Sequence, residues 1–245
     1  MKRLAFLFAV FAVFCMSVCA QAKTYVNGTD ANYPPFAYVG GDGKPAGFDI
    51  DSMNWIAKTM GFEVVHRPMD WDGIIPALMN KKINMVCSGM SITAERAAVV
   101  AFSEPYLTMQ KVILAPADSS LTVDQVINGA CKLGVQRGTA EHEYLEAKKQ
   151  DEKLKFDLRF YDSAPLAVED LVNGRIDAIA MDKAPASDAV SKNKPVKILG
   201  TFTKDEELGV AVSKDDKELL NLVNEGYKKL KADPYWKELE TKYFK

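Results

Sequence analysis

Histidine and cysteine, which are common in metal sites and in acid–base catalysis, are scarce in this sequence. The 245 residues include two histidines and four cysteines, with no H-E-x-x-H pair and no C-x-x-C spacing, so a zinc site is not supported. The G-x-S-x-G elbow of hydrolases and the G-x-x-x-x-G-K loop of nucleotide-binding proteins are also absent. We therefore expect no catalytic residue, metal or cofactor, and interpret His66 and His142 as surface or strand residues.

Positive charge is neither in excess nor clustered. Lysine and arginine together number 31 against 33 aspartate and glutamate residues, which gives a formal net charge of -2 at pH 7. Proteins that bind nucleic acid usually present a basic patch or stripe, and none is visible along this chain. A nucleic-acid partner is therefore not expected.

The one strongly apolar run is too short to span a bilayer comfortably. It covers residues 4–18, follows Lys2 and Arg3, and precedes A-Q-A at 20–22. This order is typical of a secretory signal peptide, so we predict export and cleavage after Ala22. Lipid attachment at Cys19 stays open as an alternative, although Val18 is bulkier than the residue usual before a lipidated cysteine.

Loss of the leader would leave Cys87 and Cys131 as the cysteines of the mature chain. Two cysteines could pair in an oxidising compartment. Cys87 lies in an apolar strand pattern, however, and Cys131 falls in a different half of the chain. We predict two separate free thiols.

Short β-type runs alternate with segments of helical period along the mature chain, which is typical of α/β units with a largely parallel sheet. Asp49, Thr93, Thr139 and Asp233 are predicted N-caps of helices. The pattern restarts after residue 110 and predicts two α/β halves. The predicted strands are residues 24–28, 63–66, 83–87, 111–115, 132–136, 156–160, 175–181 and 208–212.

Small polar residues follow the predicted strand 83–87. Ser88, Gly89 and Ser91 would lie at the carboxyl edge of the sheet, where open α/β sheets bind ligands. Arg96 is predicted in the first turn of the next helix, where a cation opposes the helix dipole. An external carboxylate would resolve that conflict. An exposed arginine, or one paired with Glu95 or Glu104, remains the alternative.

Two further strand edges offer complementary groups. Thr139 follows the strand 132–136, and it either caps a helix or helps to bind an anion. Asp182 ends the strand 175–181, and it either caps the next helix or accepts an ammonium group. Donors for a carboxylate together with an acceptor for an ammonium match the two ends of an α-amino acid.

Aromatic residues lie in the loops near these edges. Tyr33 is close to Asp30 in sequence, and Trp71 lies between a predicted strand and a helix. Two such rings could sandwich a ligand side chain, and a cationic side chain would gain about 0.5–2 kcal/mol from their faces. Both could instead be packing residues of their loops.

Six motifs carry a resemblance to a known family. The chain resembles the polar amino-acid-binding proteins of ABC importers, solute-binding protein family 3, over essentially the whole mature sequence. Ser52 replaces an apolar residue of the family pattern, and Gln136 stands where some relatives carry lysine. The motifs are T-D-A-N-Y-P-P-F at 29–36, G-F-D-I-D at 47–51, G-I-I-P-A-L at 73–78, G-M-S-I-T-A-E-R at 89–96, F-S-E-P-Y at 102–106 and D-A-I-A-M-D at 177–182.

The resemblance implies a role for each candidate residue. Arg96 would bind the ligand carboxylate with help from Ser91 and Thr139. The Gly89 carbonyl and Asp182 would hold the α-ammonium. The residues implied for the side-chain pocket are Asp30, Tyr33, Trp71 and Ser88.

The resemblance also implies a two-lobe periplasmic-binding-protein fold of type II, in which each lobe is a central sheet flanked by helices. Lobe 1 would comprise residues 23–109 and 207–245, and lobe 2 residues 110–206. A ligand bound between the lobes would favour closure, which is a Venus-flytrap mechanism. We expect a periplasmic monomer that meets the membrane only through its ABC permease.

The favoured ligand is a free basic amino acid, arginine, lysine or histidine, because Asp30 lies beside two candidate rings. Glutamine or another polar amino acid is the alternative. Two other functions share the fold: a cyclohexadienyl dehydratase-like enzyme and an extracytoplasmic sensor domain. No acid or base beyond the residues expected to bind the amino acid indicates the enzyme. The sequence ends at Lys245 without a membrane helix after the predicted domain, which disfavours an in-chain sensor.

Overall fold

The computed structural model describes residues 22–244. The predicted leader, including Cys19, therefore lies almost wholly outside the described residues. The strands are β1 Thr24–Thr29, β2 Asn32–Tyr33, β3 Ala37–Val39, β4 Pro45–Ala46, β5 Glu63–Pro68, β6 Met85–Val86, β7 Ala101–Phe102, β8 Leu107–Met109, β9 Lys111–Pro116, β10 Lys132–Gln136, β11 Asp157–Tyr161, β12 Ala178–Asp182, β13 Val196–Thr201, β14 Glu206–Leu208 and β15 Ala211–Val212. The helices are α1 Phe48–Met60, α2 Ile74–Met79, α3 Ala94–Val99, α4 Val123–Asn128, α5 Ala140–Asp151, α6 Ala164–Val172, α7 Lys183–Ser191, α8 Lys217–Ala232 and α9 Pro234–Tyr243, with a 3₁₀ turn at Trp71–Gly73.

Two five-stranded sheets organise the chain. The first sheet has the strand order β5-β1-β6-β15-β7, and the second has the order β11-β10-β12-β9-β13. In the first sheet β1 runs parallel to β5 and β6, whereas β15 runs antiparallel to both of its neighbours. In the second sheet β10 runs parallel to β11 and β12, and β9 antiparallel to β12 and β13. The predicted two-lobe α/β fold is confirmed.

The chain passes between the two sheets at two segments that pair with each other. Strands β8 and β14 form a separate antiparallel ribbon, with Glu206 opposite Met109 and Leu208 opposite Leu107. Every strand of the second sheet lies between Lys111 and Thr201. The exact lobe boundaries predicted from the sequence stay a prediction.

Some predicted elements differ in extent from those of the structure. The predicted strand 83–87 is limited to β6, and the predicted strand 208–212 is divided between β14 and β15. The division occurs because the backbone N–H of Val210 donates to the Ser103 hydroxyl instead of to a neighbouring strand. The strands that pair with β6 and β15 lie far away in the sequence. The local residue pattern therefore cannot show where these short strands begin and end.

The predicted cap at Asp49 is wrong. Gly47 precedes α1 as its N-cap, and Asp49 is the second residue of the helix. Its carboxylate is fully buried and accepts hydrogen bonds from the Gly89 backbone N–H at 2.6 Å and the Tyr106 hydroxyl at 2.9 Å. Asp49 therefore supports the loop after β6 and does not cap its own helix.

The two cysteines of the described chain are both free, as predicted. Cys87 is buried after β6, and its sulfur lies 3.4 Å from the Tyr227 hydroxyl. Cys131 is partly exposed just before β10. Among residues 22–244, no helix combines the length and the apolar character that a bilayer crossing requires.

Candidate ligand-binding site

A narrow cavity lies between the two sheets. Its volume is about 10 Å³, near the space that one buried water molecule needs. The cavity brings together eight of the nine predicted site residues, and four unpredicted ones line it as well. The twelve lining residues are Asp30, Tyr33, Trp71, Gly89, Ser91, Arg96, Lys111, Gln136, Thr139, Ala140, Glu141 and Asp182.

Arg96 is buried in this cavity, with 3% of its surface exposed. Thr93 caps α3 by accepting the Arg96 backbone N–H, which fixes the start of the short helix. Nη1 donates to the Ser91 carbonyl at 2.9 Å and Nη2 to the Gly138 carbonyl at 3.0 Å, while the buried Nε has no partner among the described residues. Among the described residues no carboxylate forms an ion pair with Arg96, although its charge opposes the rise that burial causes in the pKa of the nearby Glu141 and Glu143 carboxyls. A carboxylate that bonds the guanidinium directly would therefore add a charge-assisted contact that the protein does not supply.

Lys111 is a second buried cation, with 1% of its surface exposed. It opens β9 directly opposite Asp182 of β12, and residues opposite each other in an antiparallel pair present their side chains on the same face. Its Nζ lies 2.6 Å from Asp182 Oδ1, 3.0 Å from Glu141 Oε1 and 3.3 Å from Glu206 Oε2. It also donates to the Ser91 hydroxyl at 2.9 Å. We call Lys111, Glu141, Asp182 and Glu206 the lysine cluster.

The lysine cluster keeps its charge while buried. Burial lowers the pKa of Lys111, but the nearby carboxylates of Asp182, Glu141 and Glu206 outweigh that effect and raise it above its usual value. Burial raises the pKa of Asp182 to about 6, although Lys111 opposes the rise. We therefore treat Lys111 as protonated at neutral pH.

Asp182 does not cap the helix that follows it. It occupies the N-cap position of α7, but its side chain makes no capping bond. Oδ2 instead accepts a hydrogen bond from the Tyr33 hydroxyl at 2.6 Å, and Oδ1 accepts one from Lys111. Both carboxylate oxygens thus face the cavity side of the second sheet and are already engaged by the protein.

Asp30 has a neutral partner. Its Oδ2 accepts a hydrogen bond from the Gln136 amide at 2.8 Å, and its Oδ1 accepts the Asn32 backbone N–H at 3.0 Å. The side chain is 2% exposed, and burial raises the pKa of this carboxyl. The contact that the sequence left uncertain at Gln136 is therefore with Asp30. Within residues 22–244, Asp30 forms no salt bridge with a cation.

The two aromatic residues line the cavity, but each ring already packs against the protein. The Tyr33 ring stacks on Phe36 at 5.9 Å between centroids. Trp71 has the guanidinium carbon of Arg96 at 5.6 Å from its ring, and its Nε1 donates to the Gly138 carbonyl at 2.9 Å. The cation nearest Trp71 is thus the protein's own Arg96. The sandwich of a ligand side chain stays a prediction.

Gly89 requires glycine on conformational grounds. Its φ is +63°, in the left-handed region, and an added Cβ would lie 3.1 Å from the Phe36 ring. The hydrogen bond from its N–H to Asp49 holds this turn against the cavity. Burial raises the pKa of Asp49 to about 7, with the Gly89 and Tyr106 hydrogen bonds opposing.

The remaining predicted residues have local partners. Thr139 caps α5 by accepting the His142 backbone N–H, which is the ordinary cap considered from the sequence. Ser88 does not line the cavity. It is fully buried, and its hydroxyl accepts the Asp30 backbone N–H at 3.0 Å. Its direct contact with a ligand stays a prediction.

The two histidines lie outside the cavity. His66 is in β5, where its ring contacts the side chains of Asn27 and Asn54, and His142 is in α5 beside Glu146. Within the described part of the chain, no group of three or more histidine, cysteine or acidic side chains is arranged to hold a metal ion.

Direct hydrogen bonds join the two sides of the cleft. Tyr33 bonds Asp182, Asp30 bonds Gln136, and the Gly138 carbonyl accepts from both Arg96 and Trp71. Any ligand larger than a water molecule can enter only when these contacts separate.

Sequence reasoning missed Lys111, Glu141 and Glu206. Lys111 begins an apolar strand and resembled an ordinary strand terminus, while Glu141 lies in the first turn of α5, where acidic residues are common. The strand register could have revealed Lys111. Lys111 is the first residue of β9 and Asp182 is the last residue of β12, and antiparallel pairing of these strands places the two residues opposite each other.

Comparison with known proteins identifies the family. Residues 25–245 match the bacterial extracellular solute-binding proteins, family 3. The L-cystine-binding protein TcyJ of Escherichia coli K12 is 33% identical over 227 residues, covering 91% of this chain and 84% of that protein. The ABC transporter arginine-binding protein 1 of the same strain is 32% identical over 249 residues, covering 100% and 99%.

Solved structures give the same picture. An ancestral arginine-binding protein bound to arginine is 35% identical with a TM-score of 0.84, covering 92% of this chain and 100% of that chain. The structure described as an ancestral arginine-binding protein bound to glutamine is 34% identical with a TM-score of 0.83, covering 91% and 99%. An ancestral amino-acid-binding protein described as a precursor of cyclohexadienyl dehydratase is 36% identical with a TM-score of 0.82, covering 91% and 96%.

Proposed function

This chain belongs to family 3 of the bacterial extracellular solute-binding proteins, and on that basis we propose that its cleft captures a free L-amino acid for an ABC permease. The observation that carries the proposal is Arg96, a buried guanidinium that bonds two carbonyls and forms no direct ion pair within the described chain. A ligand carboxylate would supply the missing charge and could meet the free Nε. The relatives named for binding arginine and cystine support this class of ligand.

A basic amino acid is the ligand that we favour within this class. The Asp30 carboxylate is buried and accepts hydrogen bonds only from neutral donors, the Gln136 amide and the Asn32 backbone N–H, so a cationic ligand side chain would compensate its charge. The relative named for binding arginine and the ancestral protein bound to arginine agree with this choice. Glutamine is the second candidate, because a similar ancestral protein is described as bound to glutamine.

The capture mechanism follows from the position of the cleft. We infer that residues 23–109 with 207–245, and residues 110–206, move as two lobes about the β8–β14 ribbon. A ligand that touches Arg96 on one side and the Asp182 side of the cleft on the other binds the closed form better, which is the differential affinity that closure requires. Export behind the predicted leader would place a monomer in the periplasm, next to the permease.

Calorimetric titration of refolded, ligand-free protein with a panel of amino acids tests the proposal. We expect the strongest binding from arginine, lysine or histidine. Binding of glutamate but not arginine would overturn the basic assignment, and failure of every amino acid would overturn the class. Conversion of arogenate or prephenate to an aromatic product by the same preparation would instead identify a cyclohexadienyl dehydratase-like enzyme.

A further inference from the structure

Asp49 is a buried acid that does not line the cavity but holds a residue that does. Its carboxylate Oδ2 accepts the Gly89 backbone N–H at 2.6 Å and the Tyr106 hydroxyl at 2.9 Å. The other oxygen, Oδ1, has no hydrogen-bond partner among the described residues. Burying a carboxylate with so few donors is unfavourable, so the position of this acid points to a role beyond packing.

The contact with Asp49 restrains a residue of the cavity wall. Gly89 lines the cavity and has a left-handed φ of +63°, and a glycine can adopt many other backbone conformations. Its hydrogen bond to Asp49 limits that freedom, and with it the directions in which the Gly89 carbonyl can point. This carbonyl accepts no backbone N–H from residues 22–244, so it is available for the ligand ammonium that the resemblance implies.

The contacts of Asp49 do not cross the cleft. Asp49 is in α1, Gly89 and Cys87 follow β6, and the Tyr106 ring stacks on Tyr227 of α8 at 4.9 Å between centroids. None of these residues belongs to the second sheet. We therefore expect the support of Gly89 by Asp49 to persist when the cleft opens.

The titratable groups that face Asp49 are uncharged at neutral pH. Burial raises the pKa values of Tyr106, Cys87 and Tyr227 well above their ordinary values. Burial also raises the pKa of Asp49 to about 7, and only the Gly89 and Tyr106 hydrogen bonds oppose that rise. At neutral pH a large fraction of Asp49 therefore carries a proton.

A ligand ammonium at the Gly89 carbonyl would change this balance. The N–H of the same glycine is bonded to Asp49, so the ammonium would lie within about 9 Å of the carboxylate. A positive charge at that distance, in a site with little water, favours the anionic form of an acid over its protonated form.

We propose that Asp49 is a positioning residue for the ligand ammonium, which holds Gly89 in place and gives up its proton to the solvent when the ammonium binds. This inference rests on the proposed function, since it requires a ligand with an α-ammonium group in the same cleft. It applies equally to arginine and to glutamine, because both carry that group. The affinity for an amino acid should then rise with pH as Asp49 becomes ionised.

Calorimetry in buffers of different ionisation enthalpy counts the protons released on binding. At about pH 7 we expect arginine to release about 0.3 proton more from wild type than from Asp49→Asn, which keeps the shape but cannot titrate. Asp51→Asn is the matched control, because Asp51 lies in the same helix but contacts Lys242 and Tyr243. It should behave like wild type. The counterpart without the α-amino group, 5-guanidinopentanoate, should remove the difference between wild type and Asp49→Asn.

The pH profile of affinity separates this role from a merely structural one. Between pH 5 and pH 8 we expect arginine affinity to rise about threefold more in wild type than in Asp49→Asn, which corresponds to about half a pKa unit. Tyr106→Phe removes a hydrogen bond that lowers the Asp49 pKa, so it should move the midpoint of this rise to higher pH. This variant also tests the inference if Asp49→Asn does not fold. A structural role alone would change affinity by the same factor at every pH.

The outcomes distinguish this inference from the proposed function. Equal proton release from wild type and Asp49→Asn would assign the proton to another acid and overturn the inference, while amino-acid binding would stand. An unshifted midpoint in Tyr106→Phe would do the same. If no amino acid bound at any pH, the proposed function would be overturned and the inference with it.

Discussion

Arg96 and Lys111 are both buried cations of one cleft, with 3% and 1% of their surfaces exposed, yet the two sides of the cleft treat them differently. Arg96, beside the first sheet, donates to two main-chain carbonyls. Lys111, on the second sheet, has three carboxylate oxygens within 3.3 Å. The cation of the first side therefore has no direct ion pair within the described chain, while the cation of the second side has three.

The same contrast holds for the buried acids. Asp49 and Asp30, on the side of the first sheet, contact only neutral hydrogen-bond donors. Asp182, on the second sheet, contacts Lys111. Substitutions beside the first sheet should thus change ligand affinity and the pH dependence of stability.

The largest expected effect is at Arg96. Arg96→Ala removes the group that awaits a carboxylate, and two charge-assisted hydrogen bonds contribute about 3 kcal/mol or more, so we expect every amino acid to bind at least about 100-fold more weakly. Calorimetry measures the loss. Arg137→Ala is the control, since Arg137 is exposed and its ion pair with Asp162 should contribute under about 1 kcal/mol. Equal losses in both variants would contradict the contrast.

The second effect is a pH dependence of stability from Asp49. Its folded-state pKa of about 7 exceeds the ordinary value of 3.8, so between these values the folded protein binds a proton more tightly than the unfolded chain. This contribution is present at low pH and is lost as the pH rises toward 7. Urea unfolding should show wild type losing about 2 kcal/mol relative to Asp49→Asn between pH 5 and pH 7. If the difference in unfolding free energy between wild type and Asp49→Asn stays constant from pH 5 to pH 7, or changes in favour of wild type, the raised pKa of Asp49 is refuted.

The third effect sharpens the contrast at Asp30. Asp30→Asn keeps an acceptor for Gln136 but removes the charge that no cation compensates. We expect arginine to bind about tenfold more weakly, and glutamine nearly as well as before, because an ion pair in a partly dry site contributes about 1–2 kcal/mol. Gln136→Asn is a matched control that keeps the Asp30 charge. A parallel loss for both ligands would show that Asp30 has no part in choosing the side chain.

The smallest effect concerns Trp71. Trp71→Phe keeps an aromatic face near Arg96 but removes the Nε1 hydrogen bond to Gly138, whereas Trp71→Leu removes the face as well. If a ligand side chain stacks on Trp71, Trp71→Leu should lower the affinity for arginine about threefold more than the affinity for glutamine. This difference corresponds to about 0.6 kcal/mol. Trp71→Phe should preserve the ranking. Identical rankings in all three proteins would assign Trp71 to closure alone.

The fold was accessible from the sequence because strand and helix periods alternate and polar residues follow the strands. Ser91, Arg96 and Asp182 could be placed at the cleft because carboxyl ends of parallel strands share one edge of a sheet. The short strands β6 and β15 were harder, since their pairing partners are far away in the chain. Asp49 was assigned to a cap because the positive φ of Gly47, which allows glycine to precede α1, is invisible in sequence.

The lysine cluster could not be predicted for a different reason. A lysine at the start of a strand and a glutamate in the first turn of a helix are each ordinary where they stand, and both are usually exposed. Their burial arises only because β9 pairs with β12 and α5 begins beside the same edge. Pairwise register and burial, not residue type, distinguish Lys111 from a solvated lysine.

The strand order has a consequence for how the chain acquires its structure. The second sheet is contiguous in sequence, whereas the first sheet needs β15, from near the end of the chain, between β6 and β7. A chain that emerges from its amino terminus can therefore complete the later sheet before the earlier one, because pairing with β15 closes a long loop. Pulsed hydrogen exchange during refolding should show that amides of β10 and β12 are protected before those of β6. The first sheet, whose amino-terminal strands are synthesised first, would then be the last part of the protein to reach its native structure.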